Sequence, residues 1–533
     1  MEQAKREKHF NTQGPCIIGR DYMVDVSGKI DTIVKDYIEP GKYFVINRGR
    51  QYGKTTTLEL IYQRLKDTCI VLDLSFEGKE GIFKSEWDFC EGMRLFILER
   101  LMQQSPENAV SFETETPQSL PMVKFLIQIK NLCSKSNKKI VMLIDEVDKA
   151  ADYEIFRSFL GNLRDMYIER SKRNTPAFHN VILAGVHDIR NLKKKIRPEE
   201  QATYNSPWNI AVPFTLDMSF SPAEIATMLA DYENDRAVAG NPTDMDISKI
   251  SERIYYYTSG YPVMVSSICQ IIDEGNHSWT IEDVDNAVRD FLAGDSLLFD
   301  DMIKNFNIYP GFAELTKRLL FQQEEVTYED GVYEMDLGLM FGIFRNVNGK
   351  IDISNKIFRT KICNYFIALE EMKSRLGRYM CIWENSGFIT NGELNMRHIL
   401  ERFNAFMKAE HRNSDEDFIE REGRLIFLGF LRGIINGTGN YAVESETSNY
   451  MRMDVTVFYL GKEYVLELKI WHGEKKNDDA VDQIIKYLKA RSLSTGYLLS
   501  FASNKTSPKE SQIIEKDGFT IYEEIVAYRA AEE

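Results

Sequence analysis

The sequence predicts a multidomain α/β chain, and three observations predict it. Short apolar runs alternate with long helical patterns between residues 42 and 186; the pattern turns wholly helical from Ser221 to about Leu292; and two hydrophobic strands, 451–459 and 462–470, carry the charged triad Asp454, Glu467 and Lys469. At 533 residues the chain exceeds the size at which one core stops growing. The expected divisions are an α/β core over 1–220, a helical lid over 221–292, a winged-helix-like middle domain over 293–372, a helical linker over 373–417 and an αβββαβ domain over 418–533.

Taken in order, residues 42–47 form an apolar strand that leads through a Gly-containing loop to a Thr-rich helix start at Thr55. Further strands are expected at 69–75, 140–147 and 181–186, separated by helices such as 86–104 and 152–172. That alternation implies a doubly wound parallel sheet whose strands are buried on both faces. Ser221-Pro222-Ala223-Glu224 is a helix start, with Ser as N-cap, Pro at the first helical position and Glu at the third. Asn348-Gly349 marks a hairpin within 343–353, as a winged helix needs. The charged run Glu410 to Asp417 lacks apolar periodicity and reads as a linker. The last domain runs helix (418–435), strand (441–447), the hairpin, helix (478–491) and strands at 496–501 and 518–522.

Hydrophobic content of 43% and charged content of 28% describe an ordinary globular protein. The most apolar helical stretch, Leu425 to Ile435, is too short to span a membrane and contains Arg432, and the N-terminus lacks the apolar region of a signal peptide. A cytoplasmic protein with no membrane partner is expected. Seven scattered Cys without a C-x-x-C pair argue against a disulfide framework or a zinc site. The net charge of −15 repels nucleic acid at long range, so any such binding falls to local basic patches. Two candidates are Lys193-Lys194-Lys195 with Arg197, and Lys475-Lys476 with Lys486, Lys489 and Arg491.

Arg48-Gly49-Arg50-Gln51-Tyr52-Gly53-Lys54-Thr55 sits between strand and helix, where a phosphate-binding loop belongs. Backbone N–H groups and the helix N-terminus would face the phosphates, Lys54 would reach the outer ones and Thr55 would hold Mg²⁺. The strict pattern has Gly where Arg48 stands. The partner motif is the strand Ile140 to Ile144, which ends in Asp145, placed to coordinate Mg²⁺ through water, and Glu146, placed to polarise an attacking water.

The hairpin carries a second site. A two-residue turn at Leu460-Gly461 pairs Tyr459 with Lys462, and counting back places Asp454 opposite Glu467, with Lys469 on their face. Two carboxylates so placed repel by about 3 kcal/mol at an effective dielectric near 20, and a divalent cation removes that repulsion. A metal beside a positive group is the equipment of phosphodiester hydrolysis.

Phe10-Asn11-Thr12-Gln13-Gly14-Pro15-Cys16, Asp21-Tyr22-Met23, Arg50 to Thr56, Leu143 to Lys149, Ala184-Gly185-Val186-His187, Ser206 to Ala211 and Thr258-Ser259-Gly260-Tyr261-Pro262 together resemble the prokaryotic AAA-like ATPases, over about 10–290. The resemblance implies ATP with Mg²⁺ as cofactor and a binding set of Gly49, Arg50, Gln51, Tyr52, Gly53, Lys54, Thr55, Thr56, Asp145 and Pro262. A strand-end sensor would fall on His187 or Asp188, and Arg164, Arg170, Arg173 and Arg190 stay open as arginine fingers. The C-terminal order, with Asp454, then Glu467-Leu468-Lys469, then a helix bearing Gln483 and Tyr487, resembles the PD-(D/E)XK nuclease superfamily; Met453 replaces the proline of that name. It implies that Asp454 and Glu467 bind Mg²⁺ or Mn²⁺, with Lys469 at the attacking water and Gln483 in support. Glu420 or Glu422 would assist the metal. The expected activity is an ATP-controlled, metal-dependent nuclease acting on DNA; the alternative is a nucleotide-dependent switch or scaffold whose nuclease-like domain binds without cleaving. Assembly into a homo-oligomer is left open.

Overall fold

The computed structural model describes residues 8–114, 121–186, 208, 210–275, 278–321, 326–373, 387–390, 392–410, 420–435, 439–446, 452–460, 462–470, 474–502 and 510–527. They divide into two compact units, one comprising Met1–Asn305, Glu329–Asn346 and Ser354–Lys356, the other Phe306–Tyr328, Val347–Ile353 and Ile357–Glu533. Among the described residues, no helix is long and apolar enough to cross a membrane.

The first unit is built on four parallel strands, β1 (Phe44–Asn47), β2 (Cys69–Ser75), β3 (Lys139–Asp145) and β4 (Asn180–Gly185), in the order β1-β4-β3-β2. Their near-continuous apolar runs are buried, as a sheet covered on both faces requires. Helices Glu86–Gln104, Met122–Lys135 and Glu154–Arg173 contribute Phe89, Phe125, Phe156 and Phe159 to the core, all fully buried with Trp208. Arg170 is committed to the fold: its guanidinium donates to the carbonyls of Gly41 and His179, both at 2.6 Å, and to that of Phe178. That use removes it from the arginine-finger candidates.

The helical stretch after Ser221 forms as its start signal directs. Ser221 Oγ accepts from Glu224 N at 3.2 Å and Glu224 Oε2 accepts from Ser221 N at 2.7 Å, a closed capping box at the head of helix Pro222–Val238. Helices Ile247–Thr258, Pro262–Glu274 and Ile281–Ala293 complete this helical stretch. The N-terminal segment is held to it by Phe10, whose ring lies 5.2 Å from Tyr232 and 5.9 Å from Trp279. Such pairs add about 0.5–1.5 kcal/mol each beyond their buried area.

In the middle of the chain lie β5 (Val326–Thr327), β6 (Phe344–Val347) and β7 (Lys350–Ile353), with helices Tyr333–Met340 and Lys356–Lys373 on either side of β6 and β7. Asn348 and Gly349, between β6 and β7, both have positive φ, 53° and 84°, the conformation that a tight hairpin turn demands. Strands β8 (Ile389–Thr390) and β9 (Glu393–Leu394) form a small hairpin where only a helical linker was expected; both are too short for their periodicity to register.

The second unit centres on a six-stranded sheet of β10 (Gly439–Glu446), β11 (Arg452–Tyr459), β12 (Lys462–Ile470), β13 (Thr495–Ala502), β14 (Gln512–Lys516) and β15 (Phe519–Ala527), ordered β10-β11-β12-β13-β15-β14. The β10-β11-β12 and β14-β15 pairings are antiparallel, and β12-β13-β15 run parallel. Phe403 and Phe427, from helices Met396–Glu410 and Glu420–Ile435, pack at 5.0 Å, with Phe501 of β13 6.4 Å from Phe403. Helix Glu474–Arg491 covers the opposite face, setting Ile484, Ile485 and Leu488 against Val465, Leu498 and Ile521. β14 is an addition to the expected order. Its residues alternate between exposed and half-buried, so no apolar run announces it.

Candidate nucleotide and metal sites

Strand β1 runs into the loop 48–53, and Arg48 N extends the sheet by donating to Gly185 O at 3.2 Å. Its side chain, standing where the strict motif has Gly, turns away to donate to Leu216 O at 2.8 Å and lies over the Phe214 ring. The departure from the motif is thus taken up by the neighbouring segment. Gln51 and Gly53 adopt φ of 56° and 77°, curling the backbone into helix Lys54–Leu65. Lys54 is only 9% exposed and donates to the carbonyls of Arg48 and Gly49 at 3.1 and 3.0 Å. Burial pulls its ammonium below the usual lysine range, opposed by the charges of Asp148, Glu146 and Asp145.

Thr55 Oγ1 donates to Asp145 Oδ2 at 2.6 Å, and Asp145 Oδ1 accepts from Glu146 N at 2.8 Å. Glu146 takes a left-handed backbone, φ 53°. Its carboxyl is raised above the usual range by burial and then by the charge of Asp145. The structure therefore brings together Lys54, Thr55, Asp145 and Glu146 at the carboxyl ends of β1 and β3, where open α/β sheets bind ligands.

Three neighbours carry roles that the sequence did not assign them. Asp148 Oδ2 accepts from Val186 N, joining the loop after β3 to the end of β4. Tyr261 donates its hydroxyl to Arg50 O at 2.8 Å, and its ring stands edge-on to Tyr52 at 4.7 Å. Gly260 makes that approach feasible: φ is 73°, and a Cβ there would fall 1.9 Å from Phe220 O. Pro262 follows as the first residue of its helix, with its Cγ 4.0 Å from where a Cβ on Gly53 would stand. Gly49 is required by space, since a Cβ would come within 2.6 Å of Phe341 O. From the N-terminal loop, Cys16 N donates to Thr56 Oγ1 at 3.2 Å, and Asp21 holds that loop by accepting from Ile17 N at 2.7 Å. His187, Asp188, Arg190 and the Lys193 to Arg197 patch lie outside the described residues.

In the second unit the hairpin register is the expected one. Tyr459 pairs with Lys462 and Val455 with Leu466, so the next step sets the backbone of Asp454 beside Glu467. Leu460 turns with φ 45°; Gly461 and the Asp454 side chain lie outside the described residues, as do the side chains of Glu420, Glu422, Lys475 and Lys476. Glu467 is 9% exposed. The ammonium of Lys469 is lowered by burial and held up by the charges of Glu523, Glu467, Asp478 and Asp479. Gln483 is exposed on its helix, whereas Tyr487 is buried, its hydroxyl 3.3 Å from Thr456 Oγ1. From the basic patch, Arg491 pairs with Glu463 at 3.5 Å and Lys489 lies over Phe519, while Lys486 is exposed. Among the described residues, no group of three His, Cys, Asp or Glu side chains is clustered as a metal cage.

No protein-family model and no curated protein sequence matches the chain. Among solved structures, the chain is similar to a Walker-type ATPase of Pyrococcus abyssi, at 10% identity and a TM-score of 0.45, over 66% of this chain and 99% of that one. It is also similar to the Aeropyrum pernix ORC2 protein in its ADPNP–ADP complexes, at 12% identity and a TM-score of 0.39, over 69% and 99% of the two chains. A third is the Aeropyrum pernix ORC1 protein in complex with DNA, at 13% identity and a TM-score of 0.29, over 65% and 94%.

Proposed function

We propose that this chain binds and hydrolyses ATP, and that the nucleotide state governs a metal-dependent phosphodiesterase acting on DNA. The observation that supports it most is the meeting of Lys54, Thr55, Asp145 and Glu146, with Thr55 and Asp145 joined at 2.6 Å across ninety residues of sequence. In this reading the loop Gly49 to Thr56 cradles the phosphates, Lys54 leaves its own loop carbonyls for the outer phosphates, and Glu146 orients the attacking water. Thr55 and Asp145 are hard oxygen donors of the kind Mg²⁺ takes, and Mg²⁺ would neutralise charge on the phosphates there. Tyr261 and Pro262 bring the lid onto the loop, so nucleotide and lid bear on each other.

The phosphodiesterase part rests on Glu467 and Lys469 sharing one face of the second sheet, with Asp454 next in register. Asp454 and Glu467 offer oxygen donors suited to Mg²⁺ or Mn²⁺, which would supply Lewis acidity at the scissile phosphate. Lys469 would hold the water and balance developing charge. Gln483 would support the site from the covering helix.

The test is a plasmid assay with Mg²⁺ and ATP on the wild type, Lys54→Ala, Glu146→Gln and Glu467→Ala. The wild type is expected to hydrolyse ATP and cleave; Glu467→Ala keeps ATP turnover and leaves the plasmid whole. Intact DNA under every metal and nucleotide condition sinks the hydrolytic claim. A cellular phenotype lost with Lys54→Ala but kept with Asp454→Ala would favour a switch that binds without cutting.

A further inference from the structure

Within the loop 48–53, Gln51 holds φ at 56°, a left-handed conformation that Gly adopts freely and that strains a residue with a Cβ. Asn and Asp ease that strain by hydrogen bonding their short side chains to nearby backbone. Gln51 has no such relief, since its Oε1 is buried without a hydrogen-bond partner among the described residues. The support comes from the peptide group before it. Arg50 O accepts the Tyr261 hydroxyl at 2.8 Å, and that carbonyl shares its peptide with Gln51 N. In tight turns the orientation of the central peptide goes with the sign of the φ that follows it: type II has φ positive, and the flipped peptide of type I has φ negative. A hydroxyl that fixes the Arg50 carbonyl therefore fixes the conformation of Gln51 as well.

Tyr261 has little freedom to do otherwise. It is 2% exposed, and its ring stands edge-on to Tyr52. A Cβ on Gly342 would meet its Cε2 at 3.3 Å, and one on Gly49 would meet its hydroxyl oxygen at 3.2 Å. Across a trans peptide the N–H points opposite to the C=O, so Gln51 N–H is directed away from Tyr261. Among the described residues no backbone acceptor takes that N–H. We propose that Tyr261 is a positioning residue: by holding Arg50 O it keeps the Arg50–Gln51 peptide turned so that Gln51 N–H faces the phosphates of a bound nucleoside triphosphate. The inference rests on the nucleotide-site reading above and assigns Tyr261 no contact with the nucleotide. Without the hydroxyl, a peptide flip relieves the strain at Gln51 and turns a carbonyl oxygen toward the phosphates, where an N–H is needed.

The experiment is titration of the full chain with a fluorescent ATP analogue and Mg²⁺. Tyr261→Phe removes only the hydroxyl and is expected to weaken binding on the order of tenfold, the scale of one lost hydrogen bond. Adding Gln51→Gly should restore most of that loss, because Gly takes positive φ without steric penalty. Adding Gln51→Ala should not, since it deletes the same polar group but keeps the Cβ. A hydroxyl that merely supports the fold would not separate these two changes. Should Tyr261→Phe fail to fold, Gln51→Val tests the peptide from its other end: a β-branched residue resists positive φ, so binding should weaken with the hydroxyl still in place. Wild-type affinity in Tyr261→Phe or in Gln51→Val, or a loss that Gln51→Gly and Gln51→Ala correct alike or leave alike, overturns the positioning role alone. If the wild type and Lys54→Ala bind the analogue equally, or neither binds it, the nucleotide site itself is overturned, and this inference with it.

Discussion

Thr55 Oγ1 donates to Asp145 Oδ2 at 2.6 Å, so the first turn of helix Lys54–Leu65 and the end of β3 are joined by the two side chains proposed above to hold Mg²⁺. In the proposed reading Thr55 would ligate Mg²⁺ directly and Asp145 through water. Thr55→Val is expected to bind ADP without metal nearly as well as the wild type, while ATP turnover with Mg²⁺ falls about a hundredfold, roughly 2.7 kcal/mol of barrier. Fluorescent-nucleotide titration beside a phosphate-release assay separates the two effects.

Glu146 is held by a left-handed backbone next to Asp145, with its carboxyl raised by burial. Glu146→Gln keeps the shape and the hydrogen bonding but cannot draw a proton from water. Turnover should drop by about 10²–10⁴-fold with nucleotide affinity retained, giving a variant that traps ATP. Loss of binding in step with loss of turnover would assign Glu146 to the architecture of the loop instead.

His179 supplies a pH dependence of stability. Burial, then the charges of Lys139 and Arg170, lower its imidazole from 6.5 to about 4. Above pH 6.5 the ring is neutral in folded and unfolded chains alike and contributes no slope. Between 6.5 and about 4 the unfolded chain takes up the proton first, so stability falls as pH falls through that window. Denaturant midpoints recorded from pH 7 to pH 4 should show this decline, and His179→Gln should flatten it.

Gly496 faces helix Glu474–Arg491 so closely that a Cβ would stand 2.5 Å from Ile484 Cγ2 and 3.2 Å from a Leu488 methyl. Gly496→Val should push that helix off the sheet and destabilise the second unit by about 1–3 kcal/mol, the usual penalty of overpacking. Thermal unfolding reads the shift. ATP turnover, measured below the transition, should stay at the wild-type rate.

Much of this was legible in the residues. The strands β1 to β4 announce themselves by apolar runs bounded by Gly and charge, and the Ser221 capping box by its spacing. The register of the hairpin followed from a two-residue turn alone. What stayed hidden depends on strand order, which local pattern does not encode. Glu523 lies fifty-six residues beyond Glu467 and becomes its row-mate only because β15 inserts between β13 and β14. Asp148 was visible as a third acid after Asp145-Glu146, yet its partner is the backbone N–H of Val186 just past β4, a strand whose place between β1 and β3 emerges only in the folded sheet. The contact of Tyr261 with Arg50 O likewise depends on the chain reversal at Gly260, two hundred residues away.

The parallel trio β12, β13 and β15 also sets a schedule. A chain emerging from the ribosome at about 5–20 residues per second presents Lys469 on β12 roughly 3 to 11 s before Glu523 on β15, fifty-four residues later. During that interval β13 has an open edge. The four strands β1 to β4, by contrast, have all been made by residue 185. Synthesis thus delivers the four-stranded parallel sheet first and completes the six-stranded sheet last, so the residues of the loop 48–53 and of β3 can meet before β15 exists.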